Sequence, residues 1–411
     1  MKLLVFAHKP PPHHGQSYMV ELLLEHLGGD QRRRPAAHAS THEEPAIACY
    51  HVDARLSRDL DDIGQRAWAK VPRLLRYCLE AIGCRFRHHV RHFYYVPAPP
   101  GRQALYRDWL VMALCRPFYA RLILHWHAAG LGDWLENRAY PWERWISQRL
   151  LGGADLSIIQ SRANDLGLKV LAARAETIVT CGIPDPAANF VAQIELRRRA
   201  RFAARAKLLR QETLGAAERQ AAGGDPETVQ LLFLALCTRT KGLFDTLEAV
   251  ARLRQELAAE NSPLRVCLTV AGKFWRESER AEFDLRCQQA DLKGVVTYAG
   301  FVQGETKRRL FLEADVFCFP TYYESESFGL VLAEAMAFGV PAATTRWRGI
   351  PDLFPAGYPG LAEPQAPAQV AAAIRALLQT ESGLGLRAWF LQHHEVARYV
   401  ERMRAALQNV T

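Results

Sequence analysis

Nothing in this chain is apolar for long enough to cross a bilayer. No uncharged run approaches the roughly 20 residues that a membrane-spanning helix needs. Residues 1–7 are apolar, but His8 and Pro10 interrupt the run before it reaches signal-peptide length. No two cysteines have the Cys-x-x-Cys spacing, and the nine present are scattered and odd in number. Reduced thiols in a cytosolic setting are therefore expected, rather than a disulfide framework or a zinc site. No RNA-recognition, helix-turn-helix or zinc pattern occurs, so no nucleic acid partner is expected. Asp59-Leu60-Asp61-Asp62 contains an Asp-x-Asp, a pattern that can hold a metal diphosphate. It lies among arginines far from any expected strand end, so it reads as surface, and no essential metal is expected.

The 411 residues are 49% hydrophobic, too long a chain for one ordinary core, so two domains are the default. Lysine and arginine number 52 against 43 acidic residues. That excess suits a nucleotide-sugar phosphate, an anionic lipid or a nucleic acid, and equally a soluble protein that is merely rich in arginine.

Residues 2–7 read as an apolar strand. A loop rich in Pro, His and Gly follows, ending at Gly15, and then a helix carrying Met19, Val20, Leu23 and Leu27. Further strands are expected at 93–96, 121–125, 156–160 and 177–179, giving a parallel α/β domain over 1–186. Residues 187–228 are helical and strongly basic, and read as a linker or insertion. A second α/β domain spans 229–385, with strands at 229–235, 265–270, 295–298, 316–319 and 342–344. Its helices are expected at 242–258, 277–290, 304–313, 327–338 and 366–379. A terminal helix over 386–411 is expected to pack back on the first domain. Each half would present ligand loops at the carboxyl ends of its strands, with the ligand between the halves.

Residues 319–341 are the most informative segment. They read as a strand end, a polar turn and a short helix closed by Gly339 and Pro341. Ser325 or Ser327 is expected as the cap, with Phe328, Gly329 and Leu330 in the first turn, a setting suited to a diphosphate. Glu326 and Glu334 lie eight residues apart, about 12 Å at helical rise. That is too far for one catalytic dyad but suitable for gripping two ends of a long ligand.

In order along 229–354, Lys241-Gly242 follows a strand, Val270-Ala271-Gly272 ends the next, and Tyr298-Ala299-Gly300-Phe301-Val302 the third. Phe319-Pro320-Thr321 then leads into Glu326-Ser327-Phe328-Gly329-Leu330 and Glu334-Ala335-Met336-Ala337. This set resembles the donor domain of the retaining GT-B glycosyltransferases of family 4, the glycosyl transferases group 1. The first half resembles them more loosely, through Pro11-Pro12 to Gly15, His125-Trp126-His127 and Cys181-Gly182-Ile183-Pro184. The resemblance implies a GT-B fold, two Rossmann-like domains facing across a cleft, with the acceptor on the first and a nucleoside diphosphate sugar on the second. It gives Glu334 the ribose hydroxyls, and it puts Glu326 beside the transferred sugar. Gly329 and Leu330 serve the diphosphate and sugar, and Lys241 neutralises the leaving diphosphate. His127 would meet the sugar, with His125 the competing assignment, and Gly15 would let backbone approach the phosphate. Gly272, Val302 and Phe328 join the donor-binding set.

The sequence also departs from the family. Ala235-Leu236 stands where the family commonly has Gly-Arg. Arg239 either supplies the second positive charge or points to solvent. Glu324 lacks the offset to Glu334 and reads as a neighbour in the turn.

The function implied is a retaining, metal-independent glycosyltransferase of UDP- or GDP-sugars, with a saccharide or lipid-linked acceptor, in polysaccharide or glycolipid assembly. A GT-B sugar-nucleotide epimerase and a non-catalytic sugar-nucleotide binder are the alternatives. Residues 71–82 are amphipathic and 85–92 basic with aromatics. They could touch anionic lipid or be a solvated helix end, so the expected location is cytoplasmic, with a peripheral contact at the inner membrane face left open.

Overall fold

The structure, a computed structural model, describes residues 1–11, 15–33, 46–56, 70–165 and 168–410. His13, His14 and the Asp-x-Asp at 59–62 lie outside the described residues. The chain forms two compact units, Met1–Cys181 with Ala397–Thr411, and Gly182–Val396.

The first unit runs β1 (Lys2–Ala7), α1 (Gly15–His26), β2 (Ala48–Asp53), α2 (Val71–Arg87), β3 (His92–Tyr95), α3 (Arg102–Cys115), β4 (Arg121–His125), α4 (Leu131–Asn137), α5 (Pro141–Leu150), β5 (Leu156–Ile159) and β6 (Glu176–Ile178). Its six strands are parallel in the order β2-β1-β3-β4-β5-β6. Helices on both faces explain the continuous apolar runs, and Leu3, Leu4 and Val5 are fully buried. β2 is the strand that the pattern concealed, because His51 interrupts it. Buried His51 is satisfied by donating from Nε2 to the Ala7 carbonyl at 2.8 Å, and burial pushes its pKa down.

The second unit runs α6 (Leu196–Leu209), α7 (Ala216–Ala222), β7 (Thr228–Leu234), α8 (Leu243–Ala259), β8 (Arg265–Ala271), α9 (Glu277–Cys287), β9 (Val296–Gly300), α10 (Gly304–Glu313), β10 (Val316–Phe319), α11 (Leu330–Ala337), β11 (Ala342–Thr345), β12 (Leu361–Ala362), α12 (Pro367–Gln379) and α13 (Gly383–His393). Its parallel sheet has the order β12-β11-β10-β7-β8-β9. The order reverses between β7 and β10, so the crevice at their carboxyl ends is the topological switch point, where open α/β sheets bind ligands.

Two readings change here. The basic segment 187–228 is part of the second unit, not a linker. Arg198 is half-buried and donates to the carbonyls of Phe311 and Ala314, which close α10, and of Phe338, which closes α11. It thereby satisfies orphan carbonyls at two helix ends. Arg201 and Arg205 pair with buried Asp315. The tail, expected as one helix, is two. α13 belongs to the second unit, while α14 (Val396–Gln408) joins the first unit from Ala397 onward. There it buries Tyr399, Met403 and Leu407.

Candidate active site

The loop after β7 ends in a single tight turn, Arg239–Lys241, followed by Gly242 at φ 82°. A Cβ on Gly242 would sit 2.2 Å from the Pro320 carbonyl oxygen. Only glycine permits this approach, and it stitches the β7 loop to the β10 loop. Tyr322 N–H donates to Thr240 O at 2.8 Å across the same seam. The β10 loop turns back through a bond from Glu326 N–H to Tyr323 O, 2.9 Å.

This seam brings two of the expected residues together. Lys241 Nζ donates to Glu326 Oε2 at 2.5 Å, with the side chains 18% and 11% exposed. The ammonium also lies 4.4 Å from the Tyr323 ring centroid. A carboxylate and an aromatic face thus hold a cation at the carboxyl ends of β7 and β10.

α11 starts at Leu330, later than expected. Gly329 is its N-cap at φ 74°, and no side chain caps it, so neither Ser325 nor Ser327 takes that role. Phe328 precedes the helix and is buried edge-on against His394, 5.4 Å between ring centroids. The helical-rise spacing of Glu326 and Glu334 therefore holds only from Leu330 onward. Glu334, on α11, is 22% exposed. Its Oε1 accepts from Lys307 Nζ at 2.6 Å, while its buried Oε2 has no hydrogen-bond partner. A buried acceptor without a donor is costly unless a ligand supplies one.

The remaining second-unit candidates are placed differently. Gly272 has φ 149°, and a Cβ there would meet Ala235 O at 1.8 Å. Its carbonyl accepts from the Tyr298 hydroxyl at 2.8 Å, so it locks the β7, β8 and β9 loops together. Val302 is half-buried between β9 and α10. The Arg239 guanidinium lies over the Phe244 ring and pairs with Glu282, half-exposed. In the first unit, Gly15 is the exposed first residue of α1. His125 is fully buried, bonded through Nδ1 to the Tyr94 hydroxyl, and burial holds its pKa well below the usual range. His127, beyond the strand end, is partly exposed and receives Gln160 Nε2–H on Nδ1 at 2.9 Å.

Among the described residues, no group of three or more His, Cys, Asp or Glu could hold a metal ion. No described helix is long and apolar enough to cross a membrane.

Residues 216–390, which carry this loop pair and both carboxylates, match the family model described as glycosyl transferases group 1. The matched residues all lie in the second unit. A 130-residue stretch of this chain is 37% identical to the D-inositol 3-phosphate glycosyltransferase of Pseudarthrobacter chlorophenolicus, covering 31% of this chain and 29% of that protein. The chain spans about a third of the length of the curated relatives it matches. Over whole chains it resembles a glycosyltransferase from Rickettsia africae, with TM-score 0.67 at 11% identity, covering 100% of this chain and 98% of that one. It also resembles Anabaena HepE in complex with UDP, with TM-score 0.63 at 16% identity, covering 100% of both. At such identities the likeness is one of fold, and the fold is that of the GT-B glycosyltransferases.

Within the matched residues, sequence reasoning missed Lys307 and Tyr323. Lys307 sits in a Lys-Arg-Arg run that looks like any solvated helix face. Tyr323 had a signal, since it adjoins the acidic turn, but an aromatic in a loop is not specific.

Proposed function

We propose that this protein transfers a sugar from a UDP- or GDP-linked donor to a hydroxyl acceptor, with retention at the anomeric carbon and without a metal, in polysaccharide or glycolipid assembly. The observation that carries the proposal is the Lys241–Glu326 pair across the switch point of the second sheet, with the unpartnered Glu334 Oε2 in the same domain. The pieces divide a donor between them. Lys241 neutralises the diphosphate as it leaves, an effect worth several kcal/mol where water is excluded. The uncapped start of α11 offers amides to phosphate oxygens. Glu334 Oε2 accepts from a ribose hydroxyl, and Glu326, released when Lys241 turns to phosphate, faces the sugar. The leaving diphosphate takes the acceptor proton as the acceptor attacks from the same side. The UDP in the HepE complex supports a nucleotide-sugar donor.

Product analysis of the purified chain with nucleoside diphosphate sugars tests this. Transfer predicts nucleoside diphosphate and a glycosylated acceptor of unchanged anomeric configuration, both lost in Lys241→Ala while the fold is kept. A free epimer formed without acceptor would overturn it in favour of an epimerase. Full activity in Lys241→Ala would remove the proposed site.

A further inference from the structure

Eight of the large apolar side chains that remain exposed share one helical layer of the first unit. α2, α3 and α5 pack side by side. Their inner sides supply Leu74, Cys78, Leu105, Trp109 and Met112 to the core. The opposite side of α2 exposes Leu75, Leu79 and Phe86, which fall in a single stripe at helical spacing. Phe118, just after α3, meets Phe86 edge-to-face at 6.0 Å. Tyr106 of α3 and Tyr140, Trp142 and Trp145 at the start of α5 continue the surface, with Tyr140 and Trp142 stacked. Leu79 is 69% exposed, Phe86 60% and Trp145 62%, values that leave these side chains almost without cover.

The exposed charge on the same elements is predominantly positive. The three helices and the turn Arg116–Phe118 carry nine arginines and three carboxylates. Asp108 and Glu143 are buried, and Glu80 accepts from Arg32 at 2.6 Å. Arg76 and Arg87 lie along one edge of the α2 stripe and are exposed. Apolar and aromatic side chains set among arginines match the boundary of a bilayer, where rings sit at headgroup depth and guanidinium groups pair with phosphates. A second copy is a poorer occupant, because it would set arginines against arginines.

We infer that the outward face of α2, α3 and α5 docks on an anionic membrane surface, with α2 lying in the headgroup layer. This stands on the surface alone and does not depend on the transferase reading. Co-sedimentation of the full chain with phosphatidylglycerol–phosphatidylcholine vesicles tests it, against vesicles of phosphatidylcholine alone. The chain binds the anionic vesicles, binds the neutral ones weakly, and is released by salt. Leu79→Glu with Phe86→Glu lowers binding by about tenfold or more without moving the thermal midpoint, since both side chains are exposed. Arg76→Glu and Arg87→Glu each lower it by about fivefold. Three results overturn the inference. They are no binding to anionic vesicles, binding unchanged in the Leu79–Phe86 variant, and a stable dimer in sedimentation velocity that the same variant disperses.

Discussion

Lys241 and Glu326 lie 2.5 Å apart and largely out of solvent, so each keeps the other's charge tolerable until an anion arrives. Glu334 is asymmetric, with one oxygen held by Lys307 and the other buried without a partner. Glu334→Ala removes an acceptor, not a fold contact, because the Lys307 pair is partly exposed and contributes little to stability. It is expected to weaken nucleoside diphosphate binding by about tenfold to a hundredfold, the cost of one hydrogen bond at a buried acceptor. Calorimetric titration reads that loss, and thermal unfolding should stay close to the parent. The sequence puts Glu334 and Lys241 forward as site candidates because their spacing matches a known pattern. Lys307 was not, since a lysine in a basic helical run gives no sign that its amine reaches a carboxylate on another helix.

Elements were read well where burial dictates composition. β1, β4 and β10 are apolar runs whose limits the sequence already marks, because parallel strands covered on both faces tolerate few polar residues. β2 escaped because a buried His51 is bonded to a backbone carbonyl that no pattern reveals. The start of α11 was placed too early because Gly329 adopts a positive φ, which ends the loop before any serine can cap. Gly242 makes the same point at the β7 loop. Gly242→Ala forces a Cβ against Pro320 O and should cost about 1–3 kcal/mol in chemical denaturation, with activity falling as the loops part. Gly294→Ala is the control. It has φ 75° but nothing within 4 Å, so only the backbone term of about 1 kcal/mol remains.

Across the whole molecule, two α/β units were visible in the alternation of strands and helices, with the first ending within five residues of the expected 186, but the place of residues 187–228 in the second unit was not. Arginines that look solvated in the sequence of α6 are buried parts of the second unit. Asp315 anchors them. Burial alone would raise its carboxyl, but Arg205 and Arg201 outweigh that and hold it below its ordinary 3.8. A depressed folded pKa stabilises fully above the unfolded value and fades as the pH falls through the lower folded value. The parent should therefore lose stability in acid below about pH 4, and Asp315→Asn should flatten that part of the profile. At neutral pH the same substitution leaves two buried guanidinium groups uncompensated, at a cost of about 3–5 kcal/mol in urea denaturation.

The donor site proposed at the switch point of the second sheet is tested most directly by calorimetric titration of UDP and GDP into the parent, Lys241→Ala and Glu334→Ala proteins. Saturable binding of one nucleotide by the parent, weakened about tenfold or more in both variants, is the predicted result. Binding of neither nucleotide, or binding that both variants keep in full, would contradict the account.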